Sequence, residues 1–476
     1  MAANVRFEPN PSHSRLFPIR YNHVDMSTLP KNRNLVAQFF ALPLAVRVIA
    51  GVAVGVILGT VFGESPYAKG ISFTNADLGQ LAVLVIRMLK ALAAPLILFA
   101  ILDSFVKTRI SGRRGAKLLA ICLVNVSVAM AIGLAIMNTL QPGLKWEGNL
   151  GQLATQAHVG DARVPTANTT KKPTLAPLAN LAGYVPVSLI EPLLSNNVIA
   201  IVLLGIFGGA ALRRVHDRQS AAGETSVHTV ERFVDAVYQI LMQMLTWLVQ
   251  LVPFAVLAAV ADQVGKFGLN VFAVLGVFLG TMLLGLAIHS LLYYPLVAWL
   301  VGGKSPRVYL GHGADAIVTG LSTNSSLATV PVTLRCLTER MGVSHQSARL
   351  AACVGTNFNN DGITLYEAMA ALFIAQALGY HLELSQQMGV VLASIMAGMG
   401  IAGIPEAGLI VLPLVLSAAG LSEATIAVAI PLILPVDWII ARCRSGVNVM
   451  SDMLVAILLD RGYQEAEVGV VVQTES

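Results

Sequence analysis

Near the C-terminal end of the chain, Asp437, Ala441, Arg444, Asn448 and Asp452 recur at spacings of 4, 3, 4 and 4 within "DWIIARCRSGVNVMSD". At about 100° per residue these positions form one narrow stripe along a helix, and Arg442 falls well off it. The surrounding residues are apolar enough for a membrane interior, where an unpaired charge is strongly unfavourable. The stripe therefore marks a protein-lined aqueous site or a buried structural ion pair. An amide and a small residue among the charges suit a ligand pocket.

A second polar interruption lies in "GTNFNNDGITLYEA", where Asn357, Asn359, Asn360 and Asp361 sit between Gly355 and Gly362. A helix unwound there exposes carbonyl oxygens beside a carboxylate, the oxygen cage that hard cations such as sodium take. The plainer alternative is a polar kink packed on its neighbours. Two further pieces, "LSTNSSLATVPVT" turning on serines and Pro331 and "AGMGIAGIPEAG" turning on glycines and Pro405, are too interrupted for simple spans. Non-helical backbone persists at membrane depth only where protein or a watery cavity satisfies it, so both read as re-entrant hairpins closing on a central site. Gly398, Gly400 and Gly403 match G-x-G-x-x-G, but no strand precedes them and a dinucleotide reading fails.

The elements that must hold these groups follow from composition. Of 476 residues, 55% are hydrophobic and 12% charged, and the mean hydropathy is +0.71. A water-soluble domain of this length would not bury so much apolar surface, so the fold class is an all-α polytopic membrane protein. Apolar runs near 42–63, 78–105, 116–141, 184–213, 230–262, 268–302, 346–379 and 423–459 make eight expected spans. The formal net charge of +5 is carried by short links without a basic, aromatic-rich stripe, which excludes nucleic acid as a partner. The densest basic links, "KTRISGRRGAK" and "RRVHDR", place those ends and the amino terminus in the cytoplasm by the positive-inside rule.

Residues 1–41 are polar and basic, with no cleavable signal, and 461–476 form a C-terminal tail. The link 142–183 faces outward on this topology and contains the sequon Asn168-Thr169-Thr170. Cys122, Cys336, Cys353 and Cys443 are scattered, which argues against disulfides and zinc. No nucleophile, base and orienting group fall together, no H-E-x-x-H, P-loop or G-x-G-D signature occurs, and no enzyme or cofactor is expected.

Four stretches, "SSLATVPVT" (325–333), "NNDGITLYEAMAALFIAQ" (359–376), "GIPEAGLIVLPLVL" (403–416) and "DWIIARCRSGVNVMSD" (437–452), resemble in order the dicarboxylate/amino acid:cation symporter family, which includes the glutamate transporters. The resemblance implies eight transmembrane helices plus two re-entrant hairpins, near 307–340 and 386–420, in an elevator-type fold assembled as a homotrimer. Residues 42–105 and 184–262 would form the trimerisation scaffold, and 114–141 with 268–460 the transport domain. Sodium would be the coupling ion, and short loops suit a bacterial inner membrane.

By the same resemblance, Arg444 would hold a substrate's side-chain carboxylate and Asn448 the other carboxylate, with Ser325, Ser326, Gly403 and Ile404 at the hairpin tips and Ile363, Ala441 and Ser445 lining the pocket. Cation ligands would come from Gly355, Asn357, Asn359, Asp361, Asn448 and Asp452, from Asn125 on the third span, and from Gly398, Met399 and Ile401 in the second hairpin. Three departures matter. The family's ammonium-binding aspartate is Ala441, its N-M-D-G-T is "NNDGI" with Asn360 and Ile363, and its third-span Tyr and Thr-Ser pair align with Cys122, Asn125 and Val126. Without a carboxylate at 441 a buried ammonium lacks its partner, so the leading expectation is a C4 dicarboxylate such as succinate, with aspartate or glutamate as the alternative and a passive anion channel behind both.

Overall fold

A computed structural model of the chain describes residues 40, 42–70, 72–107, 112–146, 186, 188–195, 197–401, 403 and 406–474. The sequon at Asn168, Ile404 and Pro405 lie outside the described residues. The chain divides after Pro43, and the following account concerns the unit Leu44–Ser476.

Among the described residues the regular elements are all helical. The first three are α1 (Leu44–Phe62), α2 (Asn75–Lys107) and α3 (Gly112–Leu140); a hairpin of α4 (Val198–Ala222) and α5 (Val227–Val249) leads into α6 (Val252–Phe267). The stretch 230–262, expected as one span, is thus two helices. Pro253 sits in the first turn of α6, where its missing N–H costs nothing, and could not have continued α5. Next come α7 (Val271–Ala287), a π-helical segment Ile288–Tyr293 and α8 (Tyr294–Leu300). A first helical hairpin, α9 (Gly313–Thr323) and α10 (Ser326–Arg335), is followed by α11 (His345–Arg349), another π segment Leu350–Val354 and a 3-10 turn Gly355–Asn357. The chain then enters α12 (Asp361–Ala377), a second hairpin of α13 (Leu384–Gly400) and α14 (Ala407–Ala418), and finally α15 (Glu423–Thr474).

Among the described residues, six stretches are long and apolar enough to cross a bilayer: α1, α2, α4, most of α3, and the runs Val252–Ala273 and Leu275–Leu300. The expected spans 346–379 and 423–459 are not among them. The first is broken between Val354 and Asp361, and α15 carries the polar stripe through its middle. Large apolar side chains nevertheless cover the outside, with Phe207 82% exposed, Val61 67% and Leu292 65%. Such a surface belongs in lipid, and the chain is a multi-pass integral membrane protein.

Close helix packing rests on small residues. Gly51, Gly55 and Gly59, one turn apart on α1, face α6 so tightly that an added Cβ would lie 2.5 Å from the Pro253 carbonyl oxygen, 2.6 Å from that of Leu257 and 2.7 Å from Val264 Cβ. Against α2, Gly209 of α4 meets the Phe105 ring in the same way. The innermost element is α12, buried from Asp361 to Ala375, which packs on α3, α13, α14 and α15.

Gly55→Leu should therefore destabilise the fold by at least about 1–3 kcal/mol, as overpacking does. Gly276→Ala, where an added Cβ meets nothing within 4 Å, should be nearly neutral. Thermal unfolding of both variants in detergent checks this, and equal melting temperatures would refute the close α1–α6 contact.

Candidate substrate and cation site

All five stripe residues of α15 point into protein: Asp437 is 0% exposed, and Ala441, Arg444, Asn448 and Asp452 are each 2%. Arg442, off the stripe, is half-buried and donates to the Trp438 carbonyl at 2.8 Å. The Arg444 guanidinium is held from three sides. Its Nη2 lies 3.4 Å from Asp437 Oδ2, its carbon sits 4.0 Å from the Tyr366 ring centroid, and Gly408 at the start of α14 leaves it room. A Cβ on Gly408 would fall 1.8 Å from Nη1. That Nη1 and the neighbouring Ser445 Oγ have no hydrogen-bond partner among the described residues. Buried donors of this kind are normally satisfied, so their shared position marks where an anionic ligand fits.

Arg444 and Ser445 line a small cavity with Asn324, Ser325, Ser326, Ile363, Gly403, Ala407, Gly408, Ala441 and Asn448. In this closed form it is tight, with about 10 Å³ open to water-sized guests. Of the expected substrate residues, all but Ile404 thus meet around one cavity. The hairpin tips form part of its wall and clasp each other. Ser325 Oγ donates to the Gly403 carbonyl at 2.7 Å, and Asn324 Nδ2 donates to Glu406 Oε1 at 3.0 Å. Both tips turn through left-handed residues, Asn324 at φ 52° and Glu406 at φ 59°. The first hairpin therefore turns at Asn324 and Ser325, while Pro331 lies inside α10. Gly403 is needed because a Cβ there would fall 1.8 Å from Ser326 Oγ.

Beside the cavity, the chain loses its α-helical path between Val354 and Asp361, and two buried carboxylates gather at the break. Asp361 Oδ2 accepts from Tyr294 Oη at 2.8 Å, lies 2.7 Å from Ser451 Oγ and 3.4 Å from His289 Nε2. Asn359 bridges to the second carboxylate, its Nδ2 donating to Asp452 Oδ1 at 3.2 Å while its Oδ1 lies 3.0 Å from Ser451 Oγ. Among the described residues Asp452 has no cationic partner, and Asp361 has only His289. Two carboxylates 1% and 2% exposed, with so little positive charge near them, are groups that could hold a cation.

The remaining expected cation ligands are placed unevenly. The Gly355 carbonyl already accepts from the amides of Phe358 and Asn359, at 2.7 and 2.8 Å. Asn357 contributes backbone to the 3-10 turn. Asn448 Oδ1 accepts from Gly362 N at 2.8 Å, and its Nδ2 donates to Asn360 Oδ1 at 3.1 Å. The carbonyls of Gly398 and Ile401 both accept from Asn360 Nδ2, at 2.9 and 2.8 Å, while Met399 lies between them, half-buried. Asn125 is not in direct contact with Asp361; its Oδ1 accepts from Tyr293, whose ring stacks on His289.

Sequence reasoning missed Asn324, Glu406, Gly408 and Tyr366 around the cavity, and His289, Tyr294 and Ser451 at the break. His289 and Tyr294 lie in and just after a π-helical segment of a run that reads as an ordinary apolar span, where one isolated histidine was the sole hint. Irregular helical turns of this sort recur at functional sites but leave no fixed sequence pattern.

A family model described as the sodium:dicarboxylate symporter family matches residues 44–462. The chain is 27% identical over 450 residues to excitatory amino acid transporter 3 of Mus musculus, covering 86% of this chain and 83% of that one. It is 28% identical over 450 residues to excitatory amino acid transporters of Onchocerca volvulus and Caenorhabditis elegans, covering 86% of this chain and 88% and 86% of theirs. A match across nearly the whole membrane unit, with the hairpins, the broken helix and the buried arginine in place, gives the conclusion: the chain belongs to the sodium:dicarboxylate symporter family.

Proposed function

We propose that the chain is a cation-coupled secondary active symporter of acidic amino acids, aspartate or glutamate. The observation that carries this reading is the cavity itself: a buried arginine with an unpartnered Nη1, beside hairpin tips that bring in a carboxylate at Glu406. Arg444 would take the side-chain carboxylate, and Asn448 with Ser325 and Ser326 the α-carboxylate. The ammonium finds no acid at Ala441, but Glu406 is 2% exposed, pairs with no cation among the described residues and reaches Asn324, which lines the same cavity. Its carboxylate at the tips replaces the one the helix lacks. The relatives, named as amino acid transporters, favour the same substrate class.

A second reading, a C4 dicarboxylate, rests on Ala441 alone, since the helix wall of the cavity offers no acceptor for an amine. Sodium at the Asp361–Asp452 cluster would supply the coupling. On the family pattern, helices α1, α2 and α4–α6 would be a trimeric scaffold and the rest a moving transport domain. The exposed Lys90–Glu423 pair, which joins α2 to the start of α15, would then be a contact remade in each cycle.

In proteoliposomes, a sodium gradient should drive aspartate accumulation above equilibrium; simple equilibration would instead mean a passive channel. Glu406→Gln should slow aspartate uptake about tenfold or more, the worth of a charge-assisted hydrogen bond, and speed that of succinate, which no longer leaves a carboxylate unpaired at the tips. In an Ala441→Asp background the same substitution should cost little, because the acid has been restored from the helix side. Uptake of succinate but not aspartate by the natural protein would establish the second reading. Asp452→Asn should raise the sodium concentration for half-maximal uptake by about tenfold, and an unaltered sodium response would remove Asp452 from the cation site.

A further inference from the structure

The α4–α5 hairpin carries a cluster of ligating side chains unconnected with the substrate cavity. His216 on α4 and His228 on α5 both turn Nδ1 toward the carboxylate of Glu231, at 2.6 Å from Oε1 and 2.8 Å from Oε2 respectively. The three ligating atoms all lie within 4.8 Å of one another, and the two rings meet edge to face with centroids 5.3 Å apart. Among the described residues no lysine or arginine pairs with Glu231.

The local fold sets this convergence in advance. Gly223 turns the chain at φ +72°, and Gln219 Oε1 then accepts from Val227 N at 2.8 Å and Ser226 Oγ at 3.1 Å. These contacts fix how the end of α4 meets the start of α5, while His228 and Glu231, three apart, share one face of α5. His216 is thereby carried to the same point from the other helix.

A hydrogen-bonded His–Glu–His clasp is the simpler account of such a cluster, and it fits only half of it. The His228 contact has hydrogen-bond geometry. His216 Nδ1, although 2.6 Å from the carboxylate, is buried and has no hydrogen-bond partner among the described residues. His216 Nδ1 thus lies against the carboxylate without a hydrogen bond to it, within 4.8 Å of the other two ligating atoms. Two imidazole nitrogens and a carboxylate are the donor set of zinc-class divalent ions, which bind such ligands at about 2.0–2.2 Å and leave a fourth position to water. The His228 side chain, 41% exposed, gives that position access to solvent.

We propose that His216, His228 and Glu231 form a binding site for a divalent transition-metal ion of the zinc class, which ties α4 to α5. The ion would stiffen this hairpin without touching the substrate cavity.

The test uses the full chain in detergent, stripped with a chelator and titrated with Co2+ as a spectroscopic probe. One equivalent should bind with visible d–d bands of tetrahedral intensity, and Zn2+ should displace it. His216→Ala and Glu231→Gln should each weaken cobalt binding by about a hundredfold, at least the effect seen when a metal ligand's support is lost. His228→Cys should keep the ion and add a thiolate-to-cobalt charge-transfer band absent from the natural protein, a signal a misfolded variant cannot give. Saturating Zn2+ should raise the melting temperature of the natural protein and leave that of Glu231→Gln unchanged. Failure to bind one equivalent, or binding that survives Glu231→Gln, would overturn the proposal and leave the cluster a hydrogen-bonded clasp.

Discussion

The rest of the site depends on one constraint, the charge of Arg444 inside a helix bundle that faces lipid. A guanidinium 2% exposed cannot shed its proton, so the fold must surround it with compensating groups. Asp437 gives it a partner at 3.4 Å, too long and one-sided to satisfy it, and the Tyr366 ring face gives a second at 4.0 Å. What remains without a hydrogen-bond partner among the described residues is Nη1, on a side chain that lines the cavity. Each neighbouring element is shaped by this need. The start of α14 carries Gly408 because any side chain there would collide with the guanidinium, and α12 is buried along its length because Tyr366 must reach the arginine from within it.

The cavity and the cation cluster flank one break in the chain, on opposite sides of residues 359–362. Asn448 lines the cavity, caps the first turn of α12 through Gly362 N and reaches Asn360. Asn360 in turn holds the Gly398 and Ile401 carbonyls at the end of α13. The break that exposes Asp361 to a cation is thus the same break that grips the second hairpin. On the symport reading, charge neutralised at Asp361 and Asp452 would favour one geometry of residues 355–360, and that geometry would set the hairpin's position through Asn360. A cation and a substrate would then stabilise the same closed arrangement, which is the reciprocity that coupling requires.

How much of this was legible in the sequence follows from the range of each signal. The stripe from Asp437 to Asp452 reads directly because helical periodicity is local, and all five residues are buried, although α15 is buried on every face from residue 444 to 457. The break after Gly355 reads for the same reason, since glycines and amides interrupt an apolar run. The two hairpins read as interrupted pieces, and the serines do mark the first turn, at Asn324 and Ser325, whereas Pro331 lies inside α10. Longer-range facts did not read. Nothing near His289 or Tyr294 announces Asp361 as their partner, and the division of 230–262 into two helices is marked by Pro253 alone. Glu406 was visible as a residue, but its meeting with Asn324 is a tertiary contact between hairpins some eighty positions apart.

That contact changes what the loss of an acid at Ala441 implies. An aspartate on α15 would stand in the cavity wall whether the second hairpin is open or closed, so an ammonium could be held before closure. On the proposed reading, a carboxylate at Glu406 would move with the hairpin tip and come beside the cavity only when the tip is clasped to Asn324 and Ser325. Recognition of the amine would thereby move from the wall to the gate. A substrate with two carboxylates and no amine can occupy Arg444 but leaves a buried carboxylate at the tips without its cation, which disfavours closure. Discrimination would then appear in the rate of transport more than in the first binding step, because the group that tells the two substrates apart is carried by the element that must move.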